Sequence, residues 1–248
     1  MRHFNNSKLK TQNSKLKSQK SKVIILMGPP GSGKGTQAIL LSEKFNLYYF
    51  ETSKILEEKF ALAKRGEKIE VEGKKYSILK EKERWLKGEL CSPPFVTFLV
   101  KEKIEQLFKE GKNLILAGSP RTVYEAERIM PQIEKLYGKK NIKIFLLEIS
   151  PKETIKRNSQ RKICELMRHP IIFSPQTKNL KICPLDGSRL IKRKGLDDPK
   201  TIIKRIEAYQ KETLPVIEYF KKQKYKVIKI NGSPPPAQVF NDILKHLK

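Results

Sequence analysis

The sequence predicts an α/β fold built on a parallel sheet, and three observations carry that expectation. Short apolar runs, Val23 to Met27, Leu114 to Ala117, Ile142 to Leu147 and Val227 to Ile230, are separated by longer stretches with helical character. The first run ends in a glycine loop that opens directly into a helical pattern. The chain has 248 residues, 38% hydrophobic and 8% aromatic, which suits one sizeable core with one or two small inserted subdomains.

The chain starts with a basic stretch. Residues 1–22 carry Arg2, Lys8, Lys10, Lys15, Lys17, Lys20 and Lys22 without an acid, and repeat NSKLK at 6–10 and 13–17. So polar a segment cannot bury enough apolar surface to offset its ordering entropy, so disorder is expected. It reads either as an arm for RNA or as a solvated leader. The whole chain balances 53 Lys+Arg against 26 Asp+Glu, a net +27, so its partners are expected to be anionic: nucleotides, nucleic acid or an anionic surface. The run VIILMG is too short for a secretory signal, and no run is long enough to span a membrane. Three widely spaced cysteines argue against a disulfide framework and for a reducing cytoplasm.

The segment VIILMGPPGSGKGTQAILLSEKF combines a buried strand, a glycine loop and a helix with apolar positions Ile39, Leu40, Leu41 and Phe45. Gly28, Gly31 and Gly33, with Ser32 among them, let the backbone turn its N–H groups and the next helix N-terminus toward phosphate oxygens. Lys34 adds a point charge for the transferred phosphoryl group. This is the G-x-x-x-x-G-K spacing, with one departure: Gly35 follows the lysine and the hydroxyl comes at Thr36.

GPPGSGKGTQA together with GSPRTVYEAE resembles the adenylate kinase family of nucleoside monophosphate kinases. The resemblance runs from Val23 to the C-terminus, through IIKRIEAYQKETLPVIEYF and YKVIKINGSPPPAQVFNDIL. It implies a P-loop three-layer α/β/α core over 23–51, 92–157 and 195–248. It also implies a monophosphate-binding insertion over 52–91 and a lid over 158–194. The partners it implies are ATP with Mg2+ and a nucleoside monophosphate, AMP foremost, in a cytoplasmic monomer without a membrane.

Transfer of a γ-phosphoryl group to a monophosphate needs no general base, because the attacking oxygen is already ionised. The site must align two anions and stabilise the charge between them, a task for arginine. By resemblance Arg121 holds the monophosphate at the Pro-Arg turn, while Arg193 and Arg205 clamp phosphates. Arg157 and Arg161, four apart on one helix face, meet the triphosphate. ATP is then bound by Gly31, Ser32, Gly33, Lys34, Gly35, Thr36, Arg157, Arg161 and Gly232. The monophosphate is bound by Thr52, Glu57, Glu89, Leu90, Cys91, Gly118, Arg121, Glu125, Arg193 and Arg205. The stretch RKGLDDPKT is longer than the family's Arg-x-Asp-Asp, which leaves Lys194 as an alternative to Arg193.

The monophosphate pocket departs from the family. Thr52 is kept, but Ser53 and Lys54 replace Gly-Asp and Glu57 stands in place of an arginine, whose role falls to Lys54 or to a lysine of the enlarged segment that follows. Glu125 replaces a glutamine that reads adenine; an ionised carboxylate only accepts, which keeps GMP open beside AMP. Ala117 replaces an acid that helps position hydrated Mg2+, so an active but slower or more Mg2+-demanding kinase is expected. From another class, a nucleotide- or RNA-associated protein without catalysis is the alternative; a P-loop hydrolase has no use for the Pro-Arg turn or the lid.

In the lid, Cys164 and the pair Cys183-x-x-Asp186 resemble the family's zinc site. Met167 occupies the remaining position, and His169 completes a Cys-His-Cys-Asp set. The alternative is a metal-free lid packed around Leu166, Met167, Ile171, Ile172 and Phe173.

Overall fold

A computed structural model of the chain describes residues 22–87, 89–167, 170–192 and 197–247. The basic segment up to residue 21, and with it most of the expected arm, lies outside them, as do His169, Arg193 and Lys194. The chain enters β1 (Val23–Met27), turns through the glycine loop into α1 (Lys34–Phe45), and adds a short strand β2 (Tyr48–Phe50). Next come α2 (Thr52–Ala61), a hairpin of β3 (Lys68–Val71) and β4 (Lys74–Ser77), α3 (Ile78–Leu86) and α4 (Pro93–Lys109). After β5 (Leu114–Ala117), α5 (Val123–Tyr137), β6 (Ile142–Glu148) and α6 (Pro151–Gln160) come three small strands, β7 (Lys162–Cys164), β8 (Pro170–Ile171) and β9 (Leu190–Ile191). Helices α7 (Pro199–Ala208) and α8 (Leu214–Lys222), β10 (Val227–Asn231) and α9 (Pro236–Leu244) complete the chain.

The sheet runs β10-β6-β1-β5-β2, every pair parallel. The central strand β1 reads as an unbroken apolar run because both of its faces are covered, whereas edge strand β10 alternates and exposes Lys229 and Asn231. Val23, Ile25, Met27, Leu114, Leu116, Ile144 and Leu146 pack under α4, α5 and α8, while Ile24, Leu26, Ile115, Phe145 and Leu147 pack under α1 and α9. The result is the expected three-layer α/β/α core. β1 lies between β5 and β6, which the chain reaches in opposite directions, so the crevice for ligand opens at the carboxyl end of β1, where the glycine loop sits.

Helix starts follow their sequence signals. Thr122, Ser150 and Asp198 each accept the backbone N–H three residues on, and prolines follow the last two at Pro151 and Pro199. The β3-β4 turn is Glu72-Gly73, both at positive φ (51° and 75°), the geometry a two-residue hairpin loop requires. Glu72 then accepts from Arg128 Nε (3.2 Å) and Tyr124 OH (3.1 Å), joining the hairpin to α5. Among the described residues, no helix is long and apolar enough to cross a membrane.

Candidate active site

The glycine loop is gripped from two sides. At Gly28 (φ 142°) a Cβ would lie 2.4 Å from the Leu147 carbonyl oxygen, and at Gly31 (φ 78°) it would lie 2.5 Å from Asn158 Nδ2. The loop therefore rests on the end of β6 and on α6 at a distance only glycine allows. Lys34 folds over it, donating to the carbonyls of Gly28 (2.6 Å) and Pro29 (2.9 Å), with Ser32 Oγ at 3.4 Å. Burial, and then the nearby charges of Arg121, Arg205 and Arg161, push the Lys34 ammonium down to about 7. Three of the expected arginines thus act on the loop lysine through their charge. Gly33 precedes α1 directly, and Gly35 and Thr36 occupy its first turn.

The Pro-Arg turn is set by its own backbone. Gly118 is left-handed (φ 91°), the Ser119–Pro120 bond is cis, and Arg121 Nε donates to the Gly118 carbonyl at 2.7 Å. The Arg121 N–H donates to Glu125 Oε2 at 2.7 Å, while the Glu125 N–H donates to Thr122 Oγ1 at 3.2 Å, a reciprocal cap at the start of α5. Glu125 is buried, which pushes its carboxyl up, against the hydrogen bond and charge of Arg121.

On α6, Arg157 donates from Nε to Glu153 (2.7 Å), and from its terminal nitrogens to the carbonyls of Gly232 (2.9 Å) and Ser233 (2.8 Å). It thereby ties Gly232, whose own N–H donates to Glu148 O, to the loop side of the site. Arg161 donates to Asn158 Oδ1 and pairs with Asp197 at 2.8 Å, and Arg205 approaches the same carboxylate at 4.0 Å. Asp197 is buried, so it holds α6 and α7 at a fixed spacing. Arg161 caps the carboxyl end of α6 in an extended conformation (φ −64°, ψ 137°), so it does not share a helix face with Arg157 as the four-residue spacing suggests, and the two engage different partners. Asp197 and Asn158 went unassigned by sequence reasoning; the Asp-Asp pair beside Arg193 was the signal for one of them.

On the monophosphate side, Thr52 begins α2, and its Oγ1, like that of Ser119, is buried without a hydrogen-bond partner among the described residues. Glu57 is half-buried farther along α2. Glu89 N–H donates to Arg84 O and Leu90 O accepts from Arg84 Nε. Cys91 is buried, its thiol 3.5 Å from Glu81 O and pushed up to about 12 by burial and by Glu81. The carboxylate of Glu81 accepts from Ser92 N–H (2.7 Å) and Oγ (2.6 Å). It fixes this segment to the start of α4, a role no spacing in the sequence announced.

The small three-stranded sheet gathers Cys164, Cys183 and Asp186, whose ligand atoms lie within 4.8 Å of one another. Cys164 Sγ is 2.9 Å from Asp186 Oδ2, and Ser188 donates twice to Oδ1. Both cysteines are buried; of the apolar residues expected to pack a metal-free lid, Leu166, Met167, Ile172 and Phe173 are exposed and Ile171 is half-buried. His169 lies outside the described residues.

A glycine loop at the carboxyl end of the central strand, a lysine folded over it and arginines from three elements around it define a P-loop protein built for a polyanionic nucleotide. A family model described as adenylate kinase matches residues 26–225. The adenylate kinase of Methanothrix thermoacetophila is 32% identical over 229 residues, covering 90% of this chain and 97% of that protein. Those of Petrotoga mobilis and Caldicellulosiruptor bescii are 33% and 34% identical, each covering 90% of this chain and 94% and 98% of their own lengths. The chain belongs to the adenylate kinase family, nucleoside monophosphate kinases that transfer phosphate to a phosphate acceptor.

Proposed function

We propose that this protein converts ATP and AMP to two ADP by direct in-line phosphoryl transfer. An ionised AMP phosphate oxygen bonds to the γ-phosphorus as the bond to the ADP leaving oxygen breaks, so no proton has to be removed from the nucleophile. The observation that carries this reading is the glycine loop at the carboxyl end of β1, gripped between the Leu147 carbonyl and Asn158, with Lys34 folded over it and Arg157 at its Gly31 carbonyl. In this reading Lys34 and the loop from Gly31 to Thr36 take the triphosphate, with Arg157, Arg161 and Gly232 at its flank. Arg121 and Arg205, with Arg193, hold the monophosphate and the transferring group, and Thr52 and Gly118 line the acceptor side. Residues 52–91 form the monophosphate-binding insertion and 158–194 the lid. Mg2+ enters with ATP as part of the substrate and neutralises charge on the phosphates.

AMP is the proposed acceptor on the strength of family membership; Glu125 leaves GMP as the second acceptor to test, because the oxygen that accepts the Arg121 N–H keeps a further lone pair. The test is turnover of ATP with AMP, GMP, CMP and UMP, with and without Mg2+. AMP is expected to be the best acceptor; GMP as best acceptor overturns the base assignment, and no transfer to any monophosphate overturns the kinase reading.

The lid is proposed to hold a structural Zn2+ on Cys164, Cys183 and Asp186, with His169 as fourth ligand. Support comes from the proximity and burial of the two thiols around one carboxylate, donor types zinc accepts. Protein purified without chelator is expected to carry about one zinc per chain; a ratio near zero refutes the site.

A further inference from the structure

A P-loop phosphotransferase holds the metal carried by its nucleotide between the hydroxyl after the loop lysine and an acid at the end of a neighbouring strand. Here the hydroxyl belongs to Thr36, but the strand beside β1 ends in Ala117. Other buried acids around the site are committed: Glu81 to Ser92, Glu125 to Arg121, Asp197 to Arg161 and Arg205.

The sheet register places a carboxylate one strand farther out. Phe50 of β2 and Leu116 of β5 form the last pair of the ladder; continued one step past it, the register sets Glu51, which is still extended, beside Ala117. Phe50 and Leu116 belong to the cluster under α4 and α5, whereas Tyr49 and Ala117 pack against the cluster under α1. Glu51 remains extended (φ −113°, ψ 106°), so the alternation sends its side chain out on the α1 face, the face of the phosphate loop. Tyr49 marks where that leads, because its phenol oxygen lies 3.4 Å from the position a Cβ on Gly35 would take. Glu51 is two residues, about 7 Å, farther along the strand direction, toward the carboxyl end of the sheet where the loop sits. Its carboxylate accepts from Ser53 Oγ at 3.1 Å and has Lys54 Nζ at 3.9 Å, both on the first turn of α2, and it remains one-third exposed. It is oriented by its neighbours yet open to a hydrated cation.

We propose that Glu51 is the positioning residue for the divalent metal carried by ATP, taking over from the neighbouring strand end the role that Ala117 cannot fill. This rests on the phosphotransferase reading above. Mg2+ keeps several of its waters when it binds through substrate phosphates, so a carboxylate displaced by one strand acts on it through that water shell.

The test measures ATP affinity calorimetrically across Mg2+ concentrations for the full chain, for Glu51→Gln, and for Glu51→Gln combined with Ala117→Asp. AMP affinity and melting temperature are followed in parallel. Glu51→Gln is expected to need about tenfold more Mg2+ to reach half of its metal-dependent gain in ATP affinity. AMP affinity and melting temperature should stay unchanged, and Ala117→Asp should restore the Mg2+ response. An unaltered Mg2+ dependence, a parallel loss of AMP affinity, or a failure of Ala117→Asp to restore the response overturns the assignment. Because these are binding measurements, absence of phosphoryl transfer in the wild type would overturn the kinase reading while Glu51 is still decided by its own titration.

Discussion

Binding of ATP should take up a proton at Lys34. Burial and the three arginines hold the ammonium at about 7, against an ordinary value of 10.5. Above pH 7 the lysine of the nucleotide-free protein is therefore mostly neutral, whereas the triphosphate binds the charged form and returns its pKa toward or above the ordinary value. The sign follows: protonation favours binding, so affinity falls as pH rises. At about pH 8 the uptake should approach 0.9 proton per ATP, and between about pH 8 and 9 the affinity should weaken by about tenfold. The γ-phosphate of ATP is already fully ionised there and does not contribute. Isothermal titration in two buffers of different ionisation enthalpy gives the uptake directly, with Lys34→Met as the control that abolishes it. An uptake near zero at pH 8, together with a flat affinity up to pH 9, would show that Lys34 stays charged among its arginines and would refute the reasoning.

Three other outcomes follow from the same geometry. Gly31→Ala combines a left-handed φ of 78° with a Cβ 2.5 Å from Asn158 Nδ2; it should cost about 1–3 kcal/mol in urea denaturation, with ATP affinity falling as the loop shifts. Arg121→Ala should lower kcat by about 10³ while ATP affinity, measured without monophosphate, changes little, since the side chain serves the acceptor and the transition state. Glu125→Gln keeps an acceptor for the Arg121 N–H and should leave stability and AMP preference intact. Glu125→Ala should cost about 1 kcal/mol of stability and loosen the turn, which raises the KM for AMP; a Glu125→Gln variant that switches to GMP would show that the base, not the turn, is what Glu125 serves.

Much of the fold was legible because its signals are local. Four of the five strands of the main sheet stand out as short, mostly apolar runs: β1 and β5 because both faces are covered, β6 and β10 despite Lys143 and Lys229. The prolines and capping residues at Ser150, Thr122 and Asp198 mark helix starts within a few residues of sequence. β2 escaped notice because YYF is too short to establish a period and lies at the sheet edge. The β3-β4 hairpin escaped because β3, though Ile69 and Val71 alternate with exposed Lys68 and Glu70, is only four residues long and β4 carries no matching alternation.

The sequence by itself determined the phosphate loop, the Pro-Arg turn and the arginine inventory, because each is a property of neighbouring residues and of the backbone they permit. Only the tertiary structure decided which charges meet. Arg161 and Arg205 find one buried carboxylate at Asp197, Glu125 spends an oxygen on its own turn, and Cys164 reaches Cys183 and Asp186 across 22 residues from the latter. The same holds for Ala117. Read along the chain it is a missing acid, but the register between β5 and β2 sets Glu51 beside it. That juxtaposition depends on a hydrogen-bonded ladder between segments more than sixty residues apart, where no local periodicity can record it.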